Sequence, residues 1–107
     1  MSNIKNHRDR SCELVNQLKE SDDLFLERTL ELWSLGNKIY TEAWNTEFHV
    51  FGVIASETDH LPLSSVREKC SSRFLKLADE ELKETVSSHK TDLENAYNDI
   101  LAMHSHA

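Results

Sequence analysis

The chain is expected to be all-α, a bundle of four helices (three to five) closed by a long C-terminal helix. Three observations predict this class. Glycine and proline are nearly absent, 2 and 1 in 107 residues, and no Asn-Gly or Asp-Gly pair supplies the φ > 0 turn of a hairpin. Leucine, glutamate and lysine are common while β-branched clusters are few, a helical composition. Apolar residues recur at three- and four-residue spacings along most of the chain.

Ile4 to Glu20 reads as the first helix, with Leu14, Val15 and Leu18 on one side and Arg8, Arg10, Glu13 and Lys19 elsewhere. Ser21-Asp22-Asp23 supplies an N-cap and helix-starting acids for a second helix, in which Leu26, Leu30 and Trp33 recur. Gly36-Asn37 is its natural stop. A third helix is expected from Asn37 to about Ser56, where Tyr40, Trp44, Phe48 and Phe51 form an aromatic stripe at i, i+4, i+8 and i+11. Asn45-Thr46 and Gly52 are its weak points. Pro62 forbids helix at the residue before it, so Ser56 to Pro62 is a loop.

Ser65 followed by Glu68 fits a capping box that starts the last helix near Val66. The apolar positions Phe74, Ala78, Leu82, Val86, Leu93, Ala96 and Ile100 predict its continuation to about Met103. A second capping box, Thr91 with Glu94, sets the alternative of a break between Ser87 and Thr91. Asp79 before Lys83 is the favourable acid-first pair at i, i+4. Nothing resembles a linker or repeat, so residues 1–107 are one domain, drawn as antiparallel helices with short connections.

Nineteen acids against 12 bases give a net charge of −7, concentrated beyond residue 40. Such a surface repels phosphate backbones and anionic headgroups, which disfavours nucleic acid and membrane as partners. The polar start, Met1 to Asp9, has no signal-peptide apolar run, and no stretch has the apolar length of a membrane span. Cys12 and Cys70 lack metal-ligand spacing and read as reduced, largely buried thiols. A cytoplasmic location is expected.

The most distinctive stretch runs from Trp44 to Arg67. Its aromatics before Ile54, then Ser56-Glu57-Thr58-Asp59, Leu61-Pro62 and Val66-Arg67, resemble a motif of small uncharacterised bacterial helical proteins. That resemblance implies no activity. Read from the residues, the junction offers two carboxylates (Glu57, Asp59), an imidazole (His60) and a guanidinium (Arg67) near Trp44. Structurally, Ser56, Thr58 and Asp59 can satisfy orphan backbone groups, and Arg67 can grip Glu57 or Asp59 as a latch. Functionally, the five residues Trp44, Glu57, Asp59, His60 and Arg67 are the candidate binding site.

Glu57-Thr58-Asp59-His60 also matches the Glu-x-x-His element of di-iron bundles, but a full site needs a second copy. His104 and His106 lie near a chain end and are expected to fray; His89 reads as a boundary residue of the last helix. Asp79-Glu80-Glu81 with Glu84 is a solvated face or a docking strip for a basic partner. No nucleophile, phosphate loop or zinc pattern stands out, and no cofactor is implied. The expectation is a protein-binding or regulatory module without catalytic activity, acting on a protein partner or as a homodimer. The alternative is a metal- or small-ligand-binding bundle that uses Glu57, Asp59 and His60.

Overall fold

Residues 3–105 are described in the computed structural model, and among them the regular elements are all helices. They are α1 (Ile4–Glu20), α2 (Phe25–Tyr40), α3 (His49–Glu57), the single turn α4 (Ser64–Arg67), α5 (Ser72–Ser88) and α6 (Lys90–His104). No helix among these residues is long and apolar enough to cross a membrane. The all-α class is therefore as the composition predicts.

Helix α1 has the predicted bounds, and the predicted stripe of Leu14, Val15 and Leu18 is its buried face. Ser11 joins that face because its hydroxyl donates to the His7 carbonyl at 2.9 Å, leaving no unpaired oxygen. Helix α1 packs against α2 and α6, and α3 packs against α2 and α6. Their shared core is Leu14, Leu32, Phe48, Phe51, Ile54 and Ile100, all 0 % exposed. Burying side chains of this size is worth about 1.5–3 kcal/mol each. Arg10 of α1 grips Glu31 of α2 through two N–H donors, at 2.8 and 3.0 Å, which fixes the rotation of one helix against the other.

Helix α2 does not stop at Gly36-Asn37. It runs on to Tyr40, and both glycines of the chain lie inside helices. A Cβ on Gly36 would sit 2.6 Å from the Phe48 Cγ, and one on Gly52 would sit 2.6 Å from the Trp33 Cη2. Each glycine lets an aromatic ring of the facing segment approach the helix backbone, so their role is packing rather than termination. The Asn37 side chain bridges instead of ending the helix. Its amide nitrogen donates to the Trp33 carbonyl at 3.0 Å, and its oxygen accepts from Ala43 N at 3.0 Å.

The third helix is correspondingly shorter than expected. Thr41 to Phe48 is irregular, with Thr41 and Asn45 at φ of 67° and 69°. Thr46 holds the loop with local bonds: its hydroxyl donates to the Ala43 carbonyl at 2.5 Å and accepts from Phe48 N at 3.1 Å. The four aromatics thus share no single helical stripe. Tyr40 ends α2, Trp44 sits in the loop, and only Phe51 lies within α3.

The long C-terminal helix is also divided. Ser65 and Glu68 form no capping box; α4 lasts one turn, and Glu27 of α2 reaches across to accept from Ser64 N at 2.6 Å. Helix α5 then restarts with Ser71 as a true N-cap, its Oγ accepting from Phe74 N at 3.1 Å. The break from α5 to α6 falls inside the alternative window, at His89 (φ −108°, ψ 13°), without a cap from Thr91. Ser88 is the last residue of α5, and its hydroxyl donates back to the Glu84 carbonyl at 2.9 Å and the Thr85 carbonyl at 3.1 Å.

The N-terminus of α2 differs from expectation as well. Ser21 accepts from Asp23 N at 3.0 Å, but the cap residue is Leu24, held at φ 55° with no side-chain cap bond. A branched apolar residue in the left-handed region is strained by about 1–2 kcal/mol, and Leu24 is 49 % exposed, so little packing opposes its replacement. Leu24→Asn should therefore raise stability by about 0.5–1 kcal/mol, read as a higher urea midpoint with an unchanged slope. An unchanged or lower midpoint would mean that the strain is absent.

Candidate functional site

The junction residues pair one by one, with partners other than those the chain order suggests. Glu57, at the end of α3, meets the His89 Nε2 at 2.9 Å, at the break between α5 and α6. His60 Nε2 meets the Glu81 Oε2 at 2.5 Å, while Asp59 stands 3.6 Å from the other ring nitrogen of His60. Arg67 takes neither Glu57 nor Asp59. It grips Asp79 of α5 through two N–H donors at 2.8 and 3.0 Å, and its guanidinium holds the Asp79 carboxyl below the usual range. The expected latch of Arg67 onto Glu57 or Asp59 is therefore not formed; Arg67 and His60 instead tie the loop and α4 to α5, and Glu57 ties the end of α3 to His89 at the end of α5.

This arrangement spends the groups a ligand would need. Glu57 and His60 turn to different partners, and among the described residues no three His, Cys, Asp or Glu side chains converge on a metal position. Trp44 is 40 % exposed and its aromatic neighbours are Trp33, with ring centroids 4.5 Å apart, and His49, at 5.1 Å. The acidic strip is partly consumed too, since Asp79 and Glu81 serve Arg67 and His60. Lys83 is not the partner of Asp79.

A second polar constellation escaped the sequence reading. Glu47 and His104 are hydrogen-bonded with side chains 6 % and 3 % exposed. Tyr40 donates to the same Glu47 oxygen at 2.5 Å, and Arg8 Nε donates to the His104 Nδ1 at 2.9 Å. Arg8 also donates to the Met103 carbonyl at 2.7 Å. Because Nδ1 accepts from Arg8, the imidazole proton is assigned to Nε2, which donates to Glu47. Burial pushes the Glu47 carboxyl up, yet the bonds from Tyr40 and His104 outweigh it and hold the group below the usual glutamate range. Burial and the Glu47 bond raise the Tyr40 phenol to about 12.

The chain Arg8–His104–Glu47–Tyr40 joins α1, α2, the loop before α3 and the end of α6. Both ring nitrogens of His104 are committed, so neither is free to take a proton from a substrate. The cluster is a buried clasp. His104 is thus anchored rather than frayed; His106 lies outside the described residues. Its sequence signal was present, because His104 extends the buried α6 stripe of Leu93, Ala96 and Ile100 at helical spacing. Glu47, in an irregular loop, carries no such signal. Cys12 and Cys70 are half-buried and unpaired, and burial raises the Cys12 thiol, the opposite of an activated nucleophile.

An apolar concavity lies elsewhere, where α5 passes the start of α2. Phe25, Leu82 and Val86 line a hollow of about 520 Å³, edged by Asp22, Lys83 and Lys90. It continues past Phe25 and Val86 into a second hollow of about 370 Å³, with Leu18, Leu93 and Tyr97 on its wall and Lys19 beside them. Tyr97 stacks on Phe51 with centroids 6.1 Å apart, and burial raises its phenol to about 12. Helix α5 is held on α3 and α6 and buries only Ala78 fully. Phe74 and Leu77 of the same helix are exposed by 46 % and 58 %.

Set against known proteins, the chain matches no family model, no curated protein and no solved structure. Function must therefore be read from this surface alone.

Proposed function

We propose that this chain is a protein-binding module that receives its partner along the α5 groove. One observation carries the reading: a helix of 17 residues with a single fully buried side chain borders an apolar trough floored by Phe25, Leu82 and Val86. Contiguous apolar surface of this kind, rimmed by charge, is where soluble domains meet partners. The net charge of −7 argues against nucleic acid. Two unpaired thiols suit a reducing compartment such as the cytoplasm, and the motif around Ser56 to Pro62 suits a bacterial origin.

The test is to place a photo-crosslinking amino acid at Ser87, an exposed position on the groove edge, and at Asn16, an exposed position of α1 outside it. Illumination in the cell of origin should give a discrete adduct from position 87 and none from position 16. Equal labelling from both positions, or none from either, would remove the reading.

A further inference from the structure

We infer that the segment received by the groove is an amphipathic helix whose apolar stripe is flanked by carboxylates; this rests on the groove reading above. The shape argues for a helix. The trough lies between helices and offers no strand edge to extend, and α5 borders it from Asp79 to Ser87, about two and a half turns at 3.6 residues per turn. A helix laid there presents anchors at i, i+3 or i+4, and i+7 to the Phe25, Leu82, Val86 and Tyr97 surface.

The charge argues for carboxylates. Lys19, Lys83 and Lys90 border the two hollows, and none of them lies within 4 Å of an acid among the described residues. Of the acids on the same border, Asp79 is neutralised by Arg67, which leaves Asp22 and Glu94. Cations thus outnumber free acids here, on a chain whose total charge is −7. An acidic helix is repelled by most of this surface and accepted in this trough, which sets both its position and its register. A basic helix would be drawn to the remaining surface instead and would meet Lys83 and Lys90 in the groove.

Two synthetic helical peptides of about five turns, at 3.6 residues per turn, serve as probes. They share leucine anchors and differ in carrying glutamate or lysine on the flanks. The glutamate peptide should bind the isotope-labelled full chain and shift the amide signals of Phe25, Val86 and Tyr97. The lysine peptide should bind about tenfold more weakly. Exchanging the exposed Lys83 and Lys90 for glutamate should reverse the order while leaving the remaining spectrum intact. If both peptides shift the groove equally, or the double exchange changes nothing, the charge inference falls while the groove reading stands. If neither peptide shifts the groove, both fall together.

Discussion

Replacing His104 with alanine is expected to destabilise the protein by about 3 kcal/mol, within the range for breaking a buried pair and stranding its charge. Three losses add up at this position. The Glu47 carboxylate, 6 % exposed, keeps the Tyr40 donor but loses its link to the Arg8 cation. Arg8 Nε loses its acceptor. The imidazole ring, packed 5.6 Å from Phe48 and 6.2 Å from Tyr40, leaves a cavity beside the core. In a domain of this size, that energy corresponds to a melting temperature lowered by roughly 12–20 °C. A frayed chain end predicts no change at all, so thermal unfolding of His104→Ala separates the two pictures directly.

The same clasp gives stability a definite dependence on acid. The Glu47 carboxyl titrates lower in the folded chain than in the unfolded one, since its bonds outweigh its burial. Its contribution is therefore complete above the unfolded-state value and disappears as pH falls through the folded-state value. Glu47→Gln keeps an acceptor oxygen for Tyr40 and His104 but removes the titration. Its stability profile should be shallower than that of the unaltered chain on the acid side, with the two curves converging at low pH. Parallel curves would assign the acid sensitivity to other carboxylates, of which Glu31 beside Arg10 is the next candidate.

How far the sequence carried the fold depends on which forces decide each element. The bounds of α1 were legible because a stripe of Leu14, Val15 and Leu18 needs only local periodicity. The end of α2 was not, because Gly36 means a stop when read locally and a close approach once Phe48 is known to lie across from it. The irregular stretch from Thr41 to Phe48 was hidden by aromatics that happen to fall at helical spacing although Thr41 and Asn45 adopt positive φ. At the junction, the residue types that pair were legible while the partners were not. Arg67, Glu57 and His60 each reach α5 or its end, and pairing across 12 to 32 positions has no local signature. The groove was equally invisible, because Leu82 and Val86 read as ordinary stripe residues until the helices that leave them only partly covered are in place.

Gly36→Ala is expected to cost about 2–3 kcal/mol, against a gain of about 1 kcal/mol that the same change brings in an open helix interior. The opposing signs make it the sharpest probe of how closely α2 meets the Phe48 segment. The new methyl would lie 2.6 Å from the Phe48 Cγ and 2.7 Å from its Cβ, atoms near the backbone that cannot swing aside by a change of rotamer. Phe48 is 0 % exposed and its ring is held by Tyr40, Phe51 and His104 at centroid distances of 6.2, 6.3 and 5.6 Å. Relief must therefore come from separating the two segments, which opens the core. Gly52→Ala should be milder, since its Cβ meets the far edge of the half-buried Trp33 ring. Denaturant unfolding of Gly36→Ala, Phe48→Ala and the double variant measures the coupling, because Phe48→Ala removes the Cγ and Cδ1 that the new methyl would meet. The double variant should be more stable than the sum of the two single losses by about 1 kcal/mol or more, whereas simple additivity, or a stabilised Gly36→Ala, would mean that the two segments do not touch there.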